Sequence, residues 1–238
     1  MDLSVVIPVR NEAANIAPLV AEIRAALDGK LDYEIVYVDD GSTDATSTEI
    51  KTLKRNFPRL RLLRHAARSG QSAAISSGVK AARAPWIATL DGDGQNDPAD
   101  IPRLWKIARQ SPPTAKLLIA GFRQKRRDSF VKRLSSRIAN SVRASLLDDG
   151  TPDTGCGLKL FRRDLYLDLP FFDHNHRFLP ALALRQGGRV ESVQVNHRPR
   201  ERGVSNYHVF DRLWVGITDI VGVMWLKRRA SNPETAEE

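Results

Sequence analysis

The chain has 238 residues, 42% apolar and 27% charged, an ordinary composition for a soluble globular protein and enough length to bury a real core in one large α/β domain. Cys156 has no second cysteine to pair with, which excludes an intramolecular disulfide and points to a reducing, cytosolic setting. The net charge of +9 and a pI near 10.0 call for an anionic partner: nucleic acid, a membrane surface or a phosphorylated substrate.

Leu3–Val9 reads as a compact apolar strand, entered at once, so that no signal peptide is expected. Asn11 is placed to cap a helix from Glu12 to Leu27, with Ile16, Leu19, Val20, Ile23 and Leu27 on one face and Pro18 inside its first turns. Tyr33–Val38 is the second strand. Asp39-Asp40-Gly41-Ser42-Thr43-Asp44 follows it, with Asp44 as cap of the next helix. Leu60–Arg64, Trp86–Leu90 and Leu117–Gly121 are further strands, and a helix runs from Ser69 to about Arg83. This β-α-β alternation with short links implies a mostly parallel sheet with helices on both faces. Three polar loops, after Val9, Asp39 and Leu90, then share one sheet edge.

The second half is less regular. Ser129–Leu147 reads as a long basic helix, Leu158–Phe161 as a short strand, Asn175–Gln186 as a helix and Val190–Val195 as an alternating strand. A final helix covers roughly 207–229, and 230–238 is a polar tail. Its apolar run, Leu213–Leu226, contains Asp219 and falls short of the about twenty residues a spanning helix needs. Packing on its own domain and lying at a membrane interface, with Trp214, Trp225 and a basic end, both fit.

The most informative stretch is Asp91-Gly-Asp-Gly-Gln-Asn-Asp-Pro98, just past the strand Trp86–Leu90. Alone, such a cluster is compatible with a simple turn. An EF-hand loop is a poor match, because Asn96 stands where its glycine belongs and Pro102 where its bidentate Glu belongs. Ligands of open α/β sheets sit at strand ends, and two carboxylates with a nearby amide offer hard oxygens suited to Mg2+ or Mn2+. A metal there neutralises a diphosphate. The first turn lacks G-x-G-x-x-G, so the dinucleotide fingerprint is missing.

These pieces together, with Val5-Val-Ile-Pro-Val-Arg-Asn-Glu12, Gly70-Gln-Ser-Ala-Ala74, Gly121-Phe-Arg123, His176-Arg-Phe-Leu-Pro-Ala-Leu182 and Gly203-Val-Ser-Asn-Tyr207, resemble family-2 glycosyltransferases, within them the dolichyl- or polyprenyl-phosphate mannosyltransferase group. The resemblance implies a GT-A fold over residues 1–206, with an acceptor region at its C-terminal side, followed by an amphipathic helix at 207–229. It also implies a UDP- or GDP-sugar donor, a divalent metal and inversion at the anomeric carbon. Carried over by motif, Pro8, Val9, Asn11 and Glu12 line the nucleoside. Asp39 meets the base, Asp91 stands near ribose and diphosphate, and Asp93 with Gln95 binds the metal. Arg123, Lys132 and Ser136 meet the acceptor phosphate, with Arg133 and Arg137 beside them, and Arg200 closes over the diphosphate. Departures are Gly94 and Asn96-Asp97-Pro98 around the metal motif, and Asn206 where relatives often carry lysine.

The nucleophile decides the subclass. A sugar hydroxyl needs a carboxylate base, for which Asp153 and Asp173 are the second-half candidates. A polyprenyl phosphate is already anionic and needs placement, which the basic run from Arg123 through Arg137 supplies. Transfer to polyprenyl phosphate at the cytosolic membrane face is the leading expectation; transfer to a sugar hydroxyl in polysaccharide or lipopolysaccharide assembly is the alternative. The paired transmembrane helices of many relatives have no counterpart, so attachment is expected through the last helix, an anionic membrane surface or an integral membrane partner. Nucleic-acid binding has charge alone in its favour, with no recognised motif, and is not expected. His174, His176 and His197 are too scattered for a zinc site and read as loop or supporting residues. Cys156 reads as a small packed residue, and Gly155 and Gly157 as points of close backbone approach to the acceptor.

Overall fold

A computed structural model describes residues 1–112, 114–123, 146–199 and 211–231. The strands are β1 (Leu3–Val9), β2 (Tyr33–Asp39), β3 (Leu60–Arg64), β4 (Trp86–Thr89), β5 (Leu117–Arg123), β6 (Lys159–Arg162) and β7 (Arg189–Val195). The described helices are α1 (Ala13–Leu27), α2 (Thr46–Asn56), α3 (Gln71–Ala81), α4 (Ile101–Arg109), α5 (Arg163–Leu167), α6 (Leu179–Arg185) and α7 (Asp211–Arg228).

The strands form one sheet in the order β3-β2-β1-β4-β6-β5-β7. β1 pairs in parallel with both β2 and β4, and β5 with β7. β6 runs antiparallel between β4 and β5. The sheet is thus mostly parallel, as read from the sequence, and the antiparallel β6 matters for the site. It brings Lys159, at the start of β6, opposite Thr89 at the end of β4 and Ala120 near the end of β5.

Period-two alternation sorts the buried strand residues between two cores. Val5, Ile7, Ile35 and Tyr37 face α1, α2 and α4 through Ile16, Ile23, Ile50 and Leu104. Val6, Val36 and Val38 face α3, α5 and α6 through Ile75, Val79, Leu165 and Leu182. Helices therefore cover both faces. Val223 of α7 is buried in the second core, while Ile217, Val221 and Trp225 are exposed.

Several local readings change. Asn11 does not cap α1; it takes a left-handed φ of 56°, and its Oδ1 accepts the Thr43 N–H at 2.9 Å. Asp44 lies one residue before the α2 cap position yet still accepts the Thr46 N–H at 3.0 Å. The helix read over Asn175–Gln186 divides into a 3-10 turn at Asn175–Arg177 and α6, with Pro180 setting the helix's first turn. α4 went unread because Pro98 and Pro102 mark its approach as turn. Of the basic helix read over Ser129–Leu147, residues 146–147 are helical and 129–145 lie outside the described residues, as do Arg200 and the residues beyond 231.

No helix among the described residues is long and apolar enough to cross a membrane.

Candidate active site

The strand order reverses direction between β1 and β4, the topological switch point where open α/β sheets bind ligands. A groove of about 970 Å³ opens there, lined by Pro8, Val9 and Glu12 after β1, Asp40 after β2, Gly70 and Gln71 at the start of α3, and Asp91, Asp93 and Gln95 after β4. Arg123 from β5, Thr154–Gly157, Lys159 from β6, and Asp173, His174 and His176 line it as well. The three polar loops read from the sequence do share one edge.

The β1 and β2 loops are laced together by short polar side chains. Asn11 N–H donates to Ser42 Oγ at 3.0 Å and Glu12 N–H to Thr46 Oγ1 at 2.9 Å. Asp39 is fully buried. Its Oδ1 accepts the Ser42 N–H at 2.8 Å and its Oδ2 the Ser47 hydroxyl. Pro8, Val9 and Glu12 line the groove; Asn11 and Asp39 shape its loops from behind, and Asp40 is the β2 carboxylate on the wall. Asp40 accepts the Ser69 and Gly70 N–H groups, each at 2.8 Å, and His65 Nδ1 lies 2.8 Å from it. That fixes the chain entering α3.

The first turn of α3 reaches the acidic loop. Gln71 Nε2 donates to Asp91 Oδ1 at 2.9 Å, and Asn96 Oδ1 accepts the Asp91 N–H at 3.0 Å. A Cβ added to Gly157 would overlap Asp91 Oδ2 and lie 2.7 Å from Asn96 Oδ1. Gly157 is thus a point of close approach to the Asp91 carboxylate within the groove. Burial first, and then the Asp93 charge, push the Asp91 carboxyl up to about 6.

Whether a divalent cation suits this loop follows from its donors. Asp91, Asp93 and Gln95 line one stretch of groove and offer hard oxygens. The mutual repulsion of Asp91 and Asp93 is a charge deficit that a cation would relieve. Gln95 Nε2 donates to the Arg198 carbonyl at 3.4 Å, which leaves Oε1 as the ligating end of the amide. The set fits Mg2+ or Mn2+.

A strap after β7 buttresses the loop. Arg198 N–H donates to the Gln95 carbonyl at 3.0 Å, Asn96 and His197 form an antiparallel bridge, and the Arg198 guanidinium holds Asp97 at 2.6 Å and Glu22 at 2.9 Å. Arg200 follows directly and lies outside the described residues, as do Lys132, Arg133, Ser136 and Arg137.

Of the acceptor-side cations read from sequence, Arg123 is described. It forms a buried two-pronged pair with Asp153, Nε to Oδ2 at 2.6 Å and Nη2 to Oδ1 at 2.9 Å. Asp153 is therefore engaged as a counter-ion and is a poor base; Asp173 is 67% exposed. Lys159 was not anticipated. It is buried, and its ammonium donates to the carbonyls of Thr154, at 3.2 Å, and Cys156. Burial pulls its pKa down, opposed by Cys156 and Asp91. Its neighbours Gly155, Cys156 and Gly157 were a visible signal that this backbone is confined. Cys156 is fully buried, as expected of a small packed residue.

A mostly parallel sheet with helices on both faces and an acidic loop at its switch point has the architecture of a GT-A fold. The match to the Glycosyl transferase family 2 model over residues 4–169 makes the assignment firm: the chain belongs to the family-2 glycosyltransferases. It is 34% identical over 238 residues to the dodecaprenyl-phosphate galacturonate synthase of Rhizobium johnstonii, covering 98% of this chain and 69% of that protein. It is also 34% identical over 208 residues to the undecaprenyl-phosphate 4-deoxy-4-formamido-L-arabinose transferase of Edwardsiella ictaluri, covering 86% of this chain and 62% of the relative. The chain thus spans roughly two thirds of the length of these relatives. Among solved structures, Mycobacterium tuberculosis glucosyl-3-phosphoglycerate synthase with Mn2+, UDP and glucosyl-3-phosphoglycerate superposes with a TM-score of 0.68 at 18% identity, covering 98% of this chain and 81% of that one. That likeness concerns the fold.

Proposed function

We propose that this chain transfers a single sugar, with inversion, from a UDP- or GDP-sugar to a polyprenyl phosphate at the cytosolic membrane face. The observation that carries the reading is the polarity of the groove. Asp91, Asp93 and Gln95 share it with two cations, Lys159 and Arg123, whose charges reach Asp91, and the carboxylate Asp153 is spent on Arg123. Both curated relatives described above are named for polyprenyl-phosphate acceptors, and the solved relative was crystallised with Mn2+ and UDP.

In this mechanism Pro8, Val9 and Glu12 hold the nucleoside. Asp91, braced by Gln71, Asn96 and Gly157, orients the sugar diphosphate. Asp93 and Gln95 would hold Mg2+ or Mn2+, which would supply charge neutralisation for the departing diphosphate. A phosphate oxygen of the acceptor attacks the anomeric carbon from the opposite face, and the bond from that carbon to the diphosphate breaks. No proton has to be removed, so no general base is needed. Arg123 and Lys159, with the basic residues Lys132, Arg133 and Arg137 of the sequence, place the acceptor, and Arg200 serves the diphosphate. Residues 207–229 attach the enzyme to an anionic membrane, directly or beside an integral partner.

The test is incubation of purified protein with labelled UDP- and GDP-sugars, Mg2+ or Mn2+, and undecaprenyl phosphate. Organic-extractable, acid-labile label is expected, as for a glycosyl phosphodiester. Label that appears only in an acid-stable glycoside would point to a hydroxyl acceptor instead.

A further inference from the structure

His176 sits on the groove wall, on the side of Lys159, and its ring is held by one contact whose direction can be deduced. Ser72, in the first turn of α3, is fully buried, and its Oγ lies 2.7 Å from His176 Nδ1. The same Oγ accepts the His176 backbone N–H at 3.4 Å. A buried hydroxyl must place its own hydrogen on an acceptor. Among the described residues, Nδ1 is the acceptor within reach, so Ser72 donates to Nδ1 and the ring hydrogen belongs on Nε2. Burial, followed by the charges of Lys159, Arg177 and His174, pushes the ring down to about 3, so it stays neutral at working pH. Neutral, with Nδ1 occupied and Nε2 carrying hydrogen, this histidine cannot take a proton from an acceptor. It can donate one hydrogen bond.

The place of that donor follows from the sheet. The nucleoside loops follow β1 and β2, and the acidic loop follows β4, while Lys159 and Arg123 lie beyond them on β6 and β5. His176, Arg177 and Lys159 line the same groove, and the charges of Lys159, Arg177 and His174 act on the ring, so a hydrogen offered from Nε2 lies in positive potential. An anionic oxygen suits that point. We propose that His176 is an acceptor-binding residue whose Nε2–H donates to an oxygen of the incoming phosphate, with Ser72 as the residue that fixes its tautomer. This rests on the reading of the groove as a phosphate-acceptor transferase site.

The experiment uses the whole protein with 15N-labelled histidine, with His176 assigned by its loss in His176→Phe. NMR is expected to show the neutral Nε2–H form across the range around neutrality. Inorganic phosphate, and undecaprenyl phosphate in detergent, are expected to shift that Nε2–H signal, whereas UDP alone leaves it in place. In the transfer assay His176→Phe is expected to raise KM for undecaprenyl phosphate roughly tenfold to a hundredfold, the usual cost of losing a hydrogen bond to a charged group. KM for the sugar donor is expected to hold. His176→Gln, whose amide nitrogen lies near the Nε2 position, recovers part of the loss. An Nδ1–H tautomer, protonation near neutral pH, a response to UDP but not phosphate, or an unchanged acceptor KM in His176→Phe would each overturn the proposal. Should the wild-type protein transfer no sugar from any donor, the reading of function fails, and the response of Nε2–H to phosphate still decides this one.

Discussion

The two edges of the groove are built differently. On the donor edge, after β1 and β2, side chains bond to backbone N–H groups of their own or the neighbouring loop, as Asp39 does to Ser42 and Asn11 to Thr43. On the acceptor edge side chains pair with side chains: Arg123 with Asp153 and Ser72 with His176. A backbone partner survives when a neighbouring side chain is changed. A side-chain pair depends on both of its members.

The largest effect is expected where the acceptor edge buries charge. Arg123→Met removes the guanidinium from Asp153, and breaking such a pair costs up to about 3–5 kcal/mol, readable by urea denaturation. Adding Asp153→Leu should return much of the loss. A single-variant cost below about 1 kcal/mol would make the pair no better than a surface bridge and erase the contrast between the edges. Next comes Asp93→Ala, for which turnover should fall about a hundredfold to a thousandfold, the range for losing one group that stabilises developing charge. Divalent-metal dependence should vanish with it while the fold persists by circular dichroism; an unchanged rate removes Asp93 from the metal role.

These two residues also show what was legible beforehand. Asp93 was readable because its motif is contiguous and follows a strongly apolar strand. Arg123 was readable as a cation but not as the partner of Asp153, because the pair forms only when β6 reverses between β4 and β5. Lys159 was invisible for the same reason: a lysine in an apolar strand gives no sign of facing Thr154 and Cys156 carbonyls. The helices of the first half announced themselves by periodicity, whereas α4 was hidden by flanking prolines. The caps assigned to Asn11 and Asp44 were in the right loops, but their side chains lace two loops together, a contact that single-segment reading cannot see.

A smaller effect is expected from Gly157→Ala. Its methyl group would overlap the Asp91 carboxylate, and overpacking of this kind costs about 1–3 kcal/mol. Activity should drop more than thermal stability, because the Asp91 side chain yields more readily than the strand. Equal activity with wild type would show that the Asp91 position is not set from behind. The smallest effect concerns pH. Asp91 is raised to about 6 by burial and then by Asp93, so without metal its protonated form favours the fold at low pH, and that contribution is lost as pH rises through about 6. Cation binding makes the opposite demand, since it needs the carboxylate. The rise in Tm caused by Mn2+ should therefore grow between about pH 5 and about pH 7. A Mn2+ shift that is flat over this interval would detach Asp91 from the cation.

Crystals grown with Mn2+ and UDP test the central claim most directly, through the anomalous signal of the metal. A peak ligated by Asp93 and Gln95, next to Asp91 and touching the diphosphate, is the predicted result. UDP bound in the groove with its diphosphate away from Asp91–Gln95, and no anomalous peak on that loop, would contradict it.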